Sequence, residues 1–125
     1  MYVDTEPMLT TWLAAVTSLR CVTELPATLE TAVPLIEVGR IGGADRDLVV
    51  DGATVDVTCW GATRDTARKL ALLVQDRMRF RLPGTNVAGG TVMSVNCLSG
   101  PIWLPYDNTK VRRFHGSYQL FTRHS

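Results

Sequence analysis

From Val111 to Arg123 the chain alternates with a period of two. Phe114, Gly116, Tyr118 and Leu120 fall on one side, and Arg113, His115, Ser117, Gln119 and Phe121 on the other. Successive side chains of a strand point to opposite faces, so this stretch predicts a long strand with one buried face. Such a strand is not stable alone: it needs strands beside it and a layer over its apolar face. The rest of the chain must supply both. A second alternation sets Val55, Val57 and Cys59 against Thr54, Asp56, Thr58 and Trp60, and predicts another half-buried strand that Gly61 ends. Pro34 to Ile41 reads as a strand stopped by Gly42-Gly43, and Thr91 to Leu98 as a fourth. Ala44 to Gly52 reads as an exposed loop or the end of a hairpin, Glu24 to Pro34 as a connection, and Ser99 to Thr109 as irregular. Pro83-Gly84 and Gly89-Gly90 bracket a turn-rich loop.

The covering layer is helical. Pro7 stands where a helix opens, after Asp4, Thr5 and Glu6, and Met8, Leu9, Trp12, Leu13, Ala15, Val16 and Leu19 share one side of a wheel up to about Cys21. Thr63 or Asp65 caps a second helix ending near Phe80, whose inner face is Ala67, Leu70, Ala71, Val74 and Met78. The order α-β-β-α-β-β predicts an α+β fold: a mainly antiparallel four-stranded sheet with two helices packed on one face. At 125 residues the chain is read as a single domain over 1–125, which buries roughly two-thirds of its unfolded surface without help from disulfides or metal. Cys21, Cys59 and Cys97 are odd in number and lie in apolar contexts, so they read as small buried side chains.

A net charge of +1 conceals a division. Residues 1–60 sum to −6 and residues 61–125 to +7. This is not the uniform basic surface of a general nucleic-acid binder. No apolar run is long enough to span a bilayer, and MYVDTEPM lacks a signal-peptide pattern, so synthesis in a cytoplasm and no membrane partner are expected.

Candidate chemistry is sparse. His115 lies on a strand and His124 near the end of the sequence, and neither has the partners that a catalytic or metal role requires. Asp45, Asp47 and Asp51-Gly52 lack the remaining ligands of a calcium loop, and Gly39 to Gly43 lacks the Lys-Ser/Thr pair of a phosphate loop. The expectation is a protein that is not an enzyme, with no catalytic residue, metal or cofactor. What does stand out is apolar surface beyond the needs of the core. Leu73 and Phe80 lie off the inner stripe of the second helix, and Leu72 lies among Arg68, Gln75 and Arg79. Trp60 and Phe121 lie on the outer face of their strands, where a neighbouring subunit could cover them.

The order of elements resembles the tail terminator (tail completion) proteins of long-tailed bacteriophages. The likeness rests on an opening helix with Trp12-Leu13, the stretch Pro34 to Gly43, and the strand Val55 to Trp60 leading into Arg64 to Leu70. The closing segment Asp107 to Arg123 completes it. The resemblance implies a virion protein of the neck. Its homo-oligomeric ring, a hexamer, caps the tail tube, ends polymerisation, meets the head-tail connector and lets DNA pass without sequence-specific binding. On that reading Leu72, Leu73, Phe80, Arg68, Arg79, Trp60 and Phe121 belong to subunit interfaces, and Asp45, Arg46, Asp47 and Asp51 to the lumen or to a tube-docking loop. Other head-tail joining proteins, of the stopper or head-completion kind, and a non-viral cytoplasmic module binding a peptide or ligand remain as alternatives.

Overall fold

A computed structural model of the chain describes residues 3–45 and 50–124. In order the elements are α1 (Thr5–Thr17), β1 (Arg20–Val22), α2 (Leu29–Ala32), β2 (Leu35–Asp45), β3 (Val50–Gly61), α3 (Arg64–Phe80), β4 (Asn86–Val87), β5 (Gly90–Leu104) and β6 (Arg112–His124). They form a six-stranded sheet ordered β1-β2-β3-β6-β5-β4. The four long strands are the four read from sequence. The sheet exceeds the expected four because short strands are added at both edges, β1, parallel to β2, and the two-residue β4, and the four-residue α2, within the stretch read as a connection, adds a third helix to the expected two.

The two alternating stretches pair with each other. β3 and β6 run antiparallel without a register shift from Val50↔Arg123 to Gly61↔Arg112. Val55, Val57 and Cys59 therefore share a face with Phe114, Tyr118 and Leu120, and α1 and α3 cover that face. α3 is built as predicted: Thr63 Oγ1 accepts the Thr66 N–H at 3.1 Å, and its buried residues are Ala67, Leu70, Ala71, Val74 and Met78. Gly61 lets the strand end lie against the first turn of α3, since a Cβ there would stand 2.9 Å from the Ala67 nitrogen.

Several boundaries differ from the sequence reading, each for a local reason. α1 stops at Thr17, with Ser18 in the left-handed region and its N–H donated to Ala14, so the residues around Cys21 form β1 instead of a last helical turn. Gly42-Gly43 does not end β2. The strand shifts register there, and Gly43, at φ 99°, allows a backbone approach that any side chain would block by running into the Gly52 carbonyl. β5 likewise continues past Leu98 through Pro101 to Leu104 by way of three register shifts. Pro101 falls inside the last of these, where a strand tolerates a missing donor.

Asp51 is not an exposed loop acid. It is 3% exposed within β3, and its carboxylate takes a two-pronged contact from Arg40, at 2.9 Å from Nη1 and 3.1 Å from Nη2. Arg40 Nε also donates to the Gly42 carbonyl, and the Arg40 backbone N–H donates to Glu6 at 2.8 Å, which ties the start of α1 to the bulge in β2. The lumen or docking role assigned to Asp51 is therefore withdrawn, because the carboxylate is occupied inside the fold. Arg46 and Asp47 lie outside the described residues, and Asp45 ends β2.

All three cysteines pack in or against the core. Burial pushes the Cys21 thiol up to about 11, and it pushes Cys59 and the Tyr118 phenol higher still. These groups hold their protons in the folded chain at a pH where the unfolded chain has begun to lose them. Their contribution is present below the ordinary thiol range and falls as pH rises from there through about 11.

Two outcomes follow. Arg40→Ala leaves a buried carboxylate without its partner and lowers unfolding free energy by about 3 kcal/mol in denaturant titrations, while Arg40→Lys recovers only part because it cannot make the fork. Thermal midpoints measured from pH 8 upward decline steadily, and Cys59→Ala reduces the steepness of that decline.

Candidate assembly surface

One flank of the molecule combines apolar exposure with an open sheet edge. On α3 the inner stripe leaves Leu72 45% exposed and Phe80 70% exposed, with Leu73 half-buried. The surrounding cations are mostly engaged. Arg68 and Lys69 both reach Asp65, at 3.1 and 3.0 Å, and these bonds hold its carboxyl below the usual range. The Arg79 guanidinium stands 5.4 Å from the centroid of the Phe80 ring. Gln75, on the same helical face as Leu72, donates to Cys97 of β5 at 3.7 Å, so that face of α3 borders the last long strand.

β5 is the outer long strand on this side of the sheet. β4 pairs only with Gly90 and Thr91, and the backbone of Val92 is tied to Gly84 and Thr85. Beyond Val92 the outer edge of β5 has no strand beside it among the described residues. The register shifts at Val92/Ser94 and Cys97/Ser99 each leave one extra residue, and those residues are Met93 and Leu98, 48% and 55% exposed. Ile102 is also exposed. Edges of this length are usually blunted by charge, yet residues 82–106 contain no charged side chain at all. That charge-free run is the signal by which this surface is visible in the sequence, and a search for catalytic and helical patterns passes over it.

Trp60 does not belong to this surface. It is 1% exposed, covered by a second apolar cluster of Leu29, Leu35 and Val111, with Val22, Leu25, Ala32 and Val33 packed against it. Its indole N–H donates to Glu37 at 3.2 Å, Tyr106 meets it edge-on at 4.8 Å, and the Arg113 guanidinium lies 5.5 Å from its ring. The cover expected from a neighbouring subunit comes instead from the chain's own connection between β1 and β2. Phe121, on the same outer face of the sheet, is half-buried.

Between these regions the outer face is polar. Asp56 accepts from Ser117 at 2.7 Å and lies 3.2 Å from His115 Nε2. The three residue types are those of a hydrolytic triad, but here the carboxylate is the hub that both others address. Nucleophilic catalysis needs the serine on the imidazole, so this arrangement pins β3 to β6 instead of activating a hydroxyl. Among the described residues no cluster of His, Cys, Asp and Glu is suited to hold a metal ion.

No protein-family model and no curated protein matches the chain. In fold it is similar to a chain of a solved structure described as "Virion of native gene transfer agent (GTA) particle". The TM-score is 0.62 at 19% identity, over 89% of this chain and 84% of that one. At this identity the likeness is one of architecture.

The two tryptophan and leucine environments separate in experiment. Trp60→Ala removes a fully buried ring and lowers stability by about 3–5 kcal/mol, whereas Leu72→Asp shifts the denaturation midpoint little. Equilibrium urea unfolding followed by circular dichroism measures both.

Proposed function

We propose that the chain is a structural protein of a phage-like virion. Its copies associate into a ring that caps the tail tube, ends tube polymerisation and joins the tail to the head connector. The observation that carries this reading is the long, charge-free edge of β5 with Met93 and Leu98 turned out at its bulges, beside the exposed Leu72. An apolar edge of that kind is a liability in a solitary protein and an asset in a subunit, where a neighbour covers it. The likeness in fold to a chain of a gene transfer agent virion supports the same reading. So does the dominance of geometry over chemistry: the polar clusters of the described residues are spent on holding strands together.

A ring is built from one contact repeated head to tail, which requires two different patches on each copy. Residues 1–61 hold α1, β1, α2, β2 and β3, and residues 62–125 hold α3, β4, β5 and β6. In the sheet, the acidic half of the chain thus lies on one side and the basic half on the other. Leu72, Leu73, Phe80, Arg68 and Arg79, with Phe121, remain the proposed interface residues, joined now by Met93, Leu98 and Ile102. The connection that carries Asp45, Arg46 and Asp47 is the proposed lumen or tube-docking segment. DNA passes through the channel without being read.

The test is assembly. Sedimentation velocity and negative-stain images of the purified protein show a closed ring, and adding it to growing tail tubes stops elongation. Leu98→Asp keeps the circular dichroism spectrum and the denaturation midpoint and loses both activities. A chain that stays monomeric while tubes continue to lengthen in its presence would overturn the reading.

A further inference from the structure

Phe80 is the most exposed of the large apolar residues and ends α3, flanked by Arg79 and the exposed Arg81. A full aromatic ring presented to water beside cations is a poor surface residue and a good anchor for a contact. Elsewhere on the molecule, α1 and the residues around β4 enclose a groove of about 440 Å³. Its walls are largely apolar, formed by Pro7, Met8, Trp12, Ala15 and Val87, and Asp4 stands among them. Asp4 is the N-cap residue of α1, yet its side chain makes no cap hydrogen bond, so the carboxylate is available to an incoming cation. The positive end of the α1 dipole favours the Asp4 carboxylate over a cation, so the groove's apolar lining and this acid are what define a complement to a ring carried next to arginine.

We propose that this groove receives Phe80 of a second copy of the chain, with Arg79 of the partner subunit set against Asp4. The knob is on the end of α3 and the hole is between α1 and β4, so the contact joins unlike patches and propagates from copy to copy. The charges are opposite in sign: the ring arrives from the basic half of one copy and enters beside an acid from the acidic half of the next. The inference rests on the ring reading for closure of the chain of contacts, while the contact itself stands on the groove and the ring.

The test uses two variants with complementary defects. Phe80→Asp removes the knob, and Ala15→Trp fills the groove from an exposed position of α1; Thr11→Trp fills it from a second exposed position and guards against a local failure of folding. Each variant alone sediments as a monomer, with association weakened about 30-fold or more, as for loss of an aromatic anchor. Mixed in equal amounts, they form a dimer and nothing larger, because the mixture retains one competent knob and one open groove. Asp4→Arg and Arg79→Asp each weaken association, and combining them in one chain restores it.

Variants that assemble as the wild type does, or a mixture that yields no dimer, overturn this contact and leave the ring reading intact if the wild type still forms rings. A wild type that does not self-associate, but caps tubes in a manner lost with Ala15→Trp, assigns the groove to the tube protein and likewise overturns it. A wild type that neither self-associates nor caps tubes overturns both readings.

Discussion

The structure depends on the antiparallel pairing of β3 with β6. It is the one long ladder without a register shift, and it lies at the centre of the sheet. Because strand side chains alternate, a slip of one residue here would turn Phe114, Tyr118 and Leu120 out of the core and bring His115, Ser117 and Gln119 in. The ladder is therefore fixed by burial on one face and by the Asp56, Ser117 and His115 contacts on the other. Everything else hangs from it. β3 runs through Gly61 directly into α3, which lies back over β5 and β6, and β2 closes the other side by a hairpin.

The bulges are what give the sheet its usable surface. β2 has one register shift and β5 three. In β2 the shift is secured by polar contacts, with Arg40 holding Asp51, the Gly42 carbonyl and Glu6 together. In β5 the extra residues at the first two shifts are Met93 and Leu98, both exposed. The acids on the β2 and β3 side are largely engaged: Asp51 with Arg40, Asp56 with Ser117, Glu37 with the Trp60 indole, and Glu30 with Asn108. The exposed apolar side chains Leu72, Phe80, Met93 and Leu98 lie on the other flank, on α3 and β5.

Much of this was legible in the sequence where a pattern is repeated often enough to be read. α3 carried its cap, its stripe and its off-stripe leucines in plain periodicity, and the alternation around Val57 and Tyr118 placed both central strands. β1 and β4 were not legible, since three and two residues hold no period and their pairing is set by the strands they dock against. Gly42-Gly43 and Pro101 read as breakers because those residues usually are; here Gly42-Gly43 follow a bulge at Ile41 and Pro101 lies inside one, a feature of paired strands that a single strand's sequence does not display. Trp60 was correctly placed on the outer face, but the segment that covers it, Leu25 to Val33, has no periodicity to announce that it folds back. Asp51 reads as part of an exposed loop because the stretch from Ala44 to Gly52 is rich in acids and glycine, and its partner Arg40 lies on the neighbouring strand, where the sequence around Asp51 gives no sign of it.

The order of strands has a consequence for how such a protein can change. With β1, β2 and β3 on one side of the sheet and β6, β5 and β4 on the other, each side of the sheet is encoded by one uninterrupted stretch of the gene, and the seam between them is a single strand pair. Substitutions that retune the β5 edge or the end of α3 need not be compensated in β2, provided the residues facing each other across β3 and β6 are kept. Within the sheet the two sides can therefore diverge at different rates, with the central ladder as the joint that must still fit, while over it α1 must keep its fit to α3 and to the residues around β4.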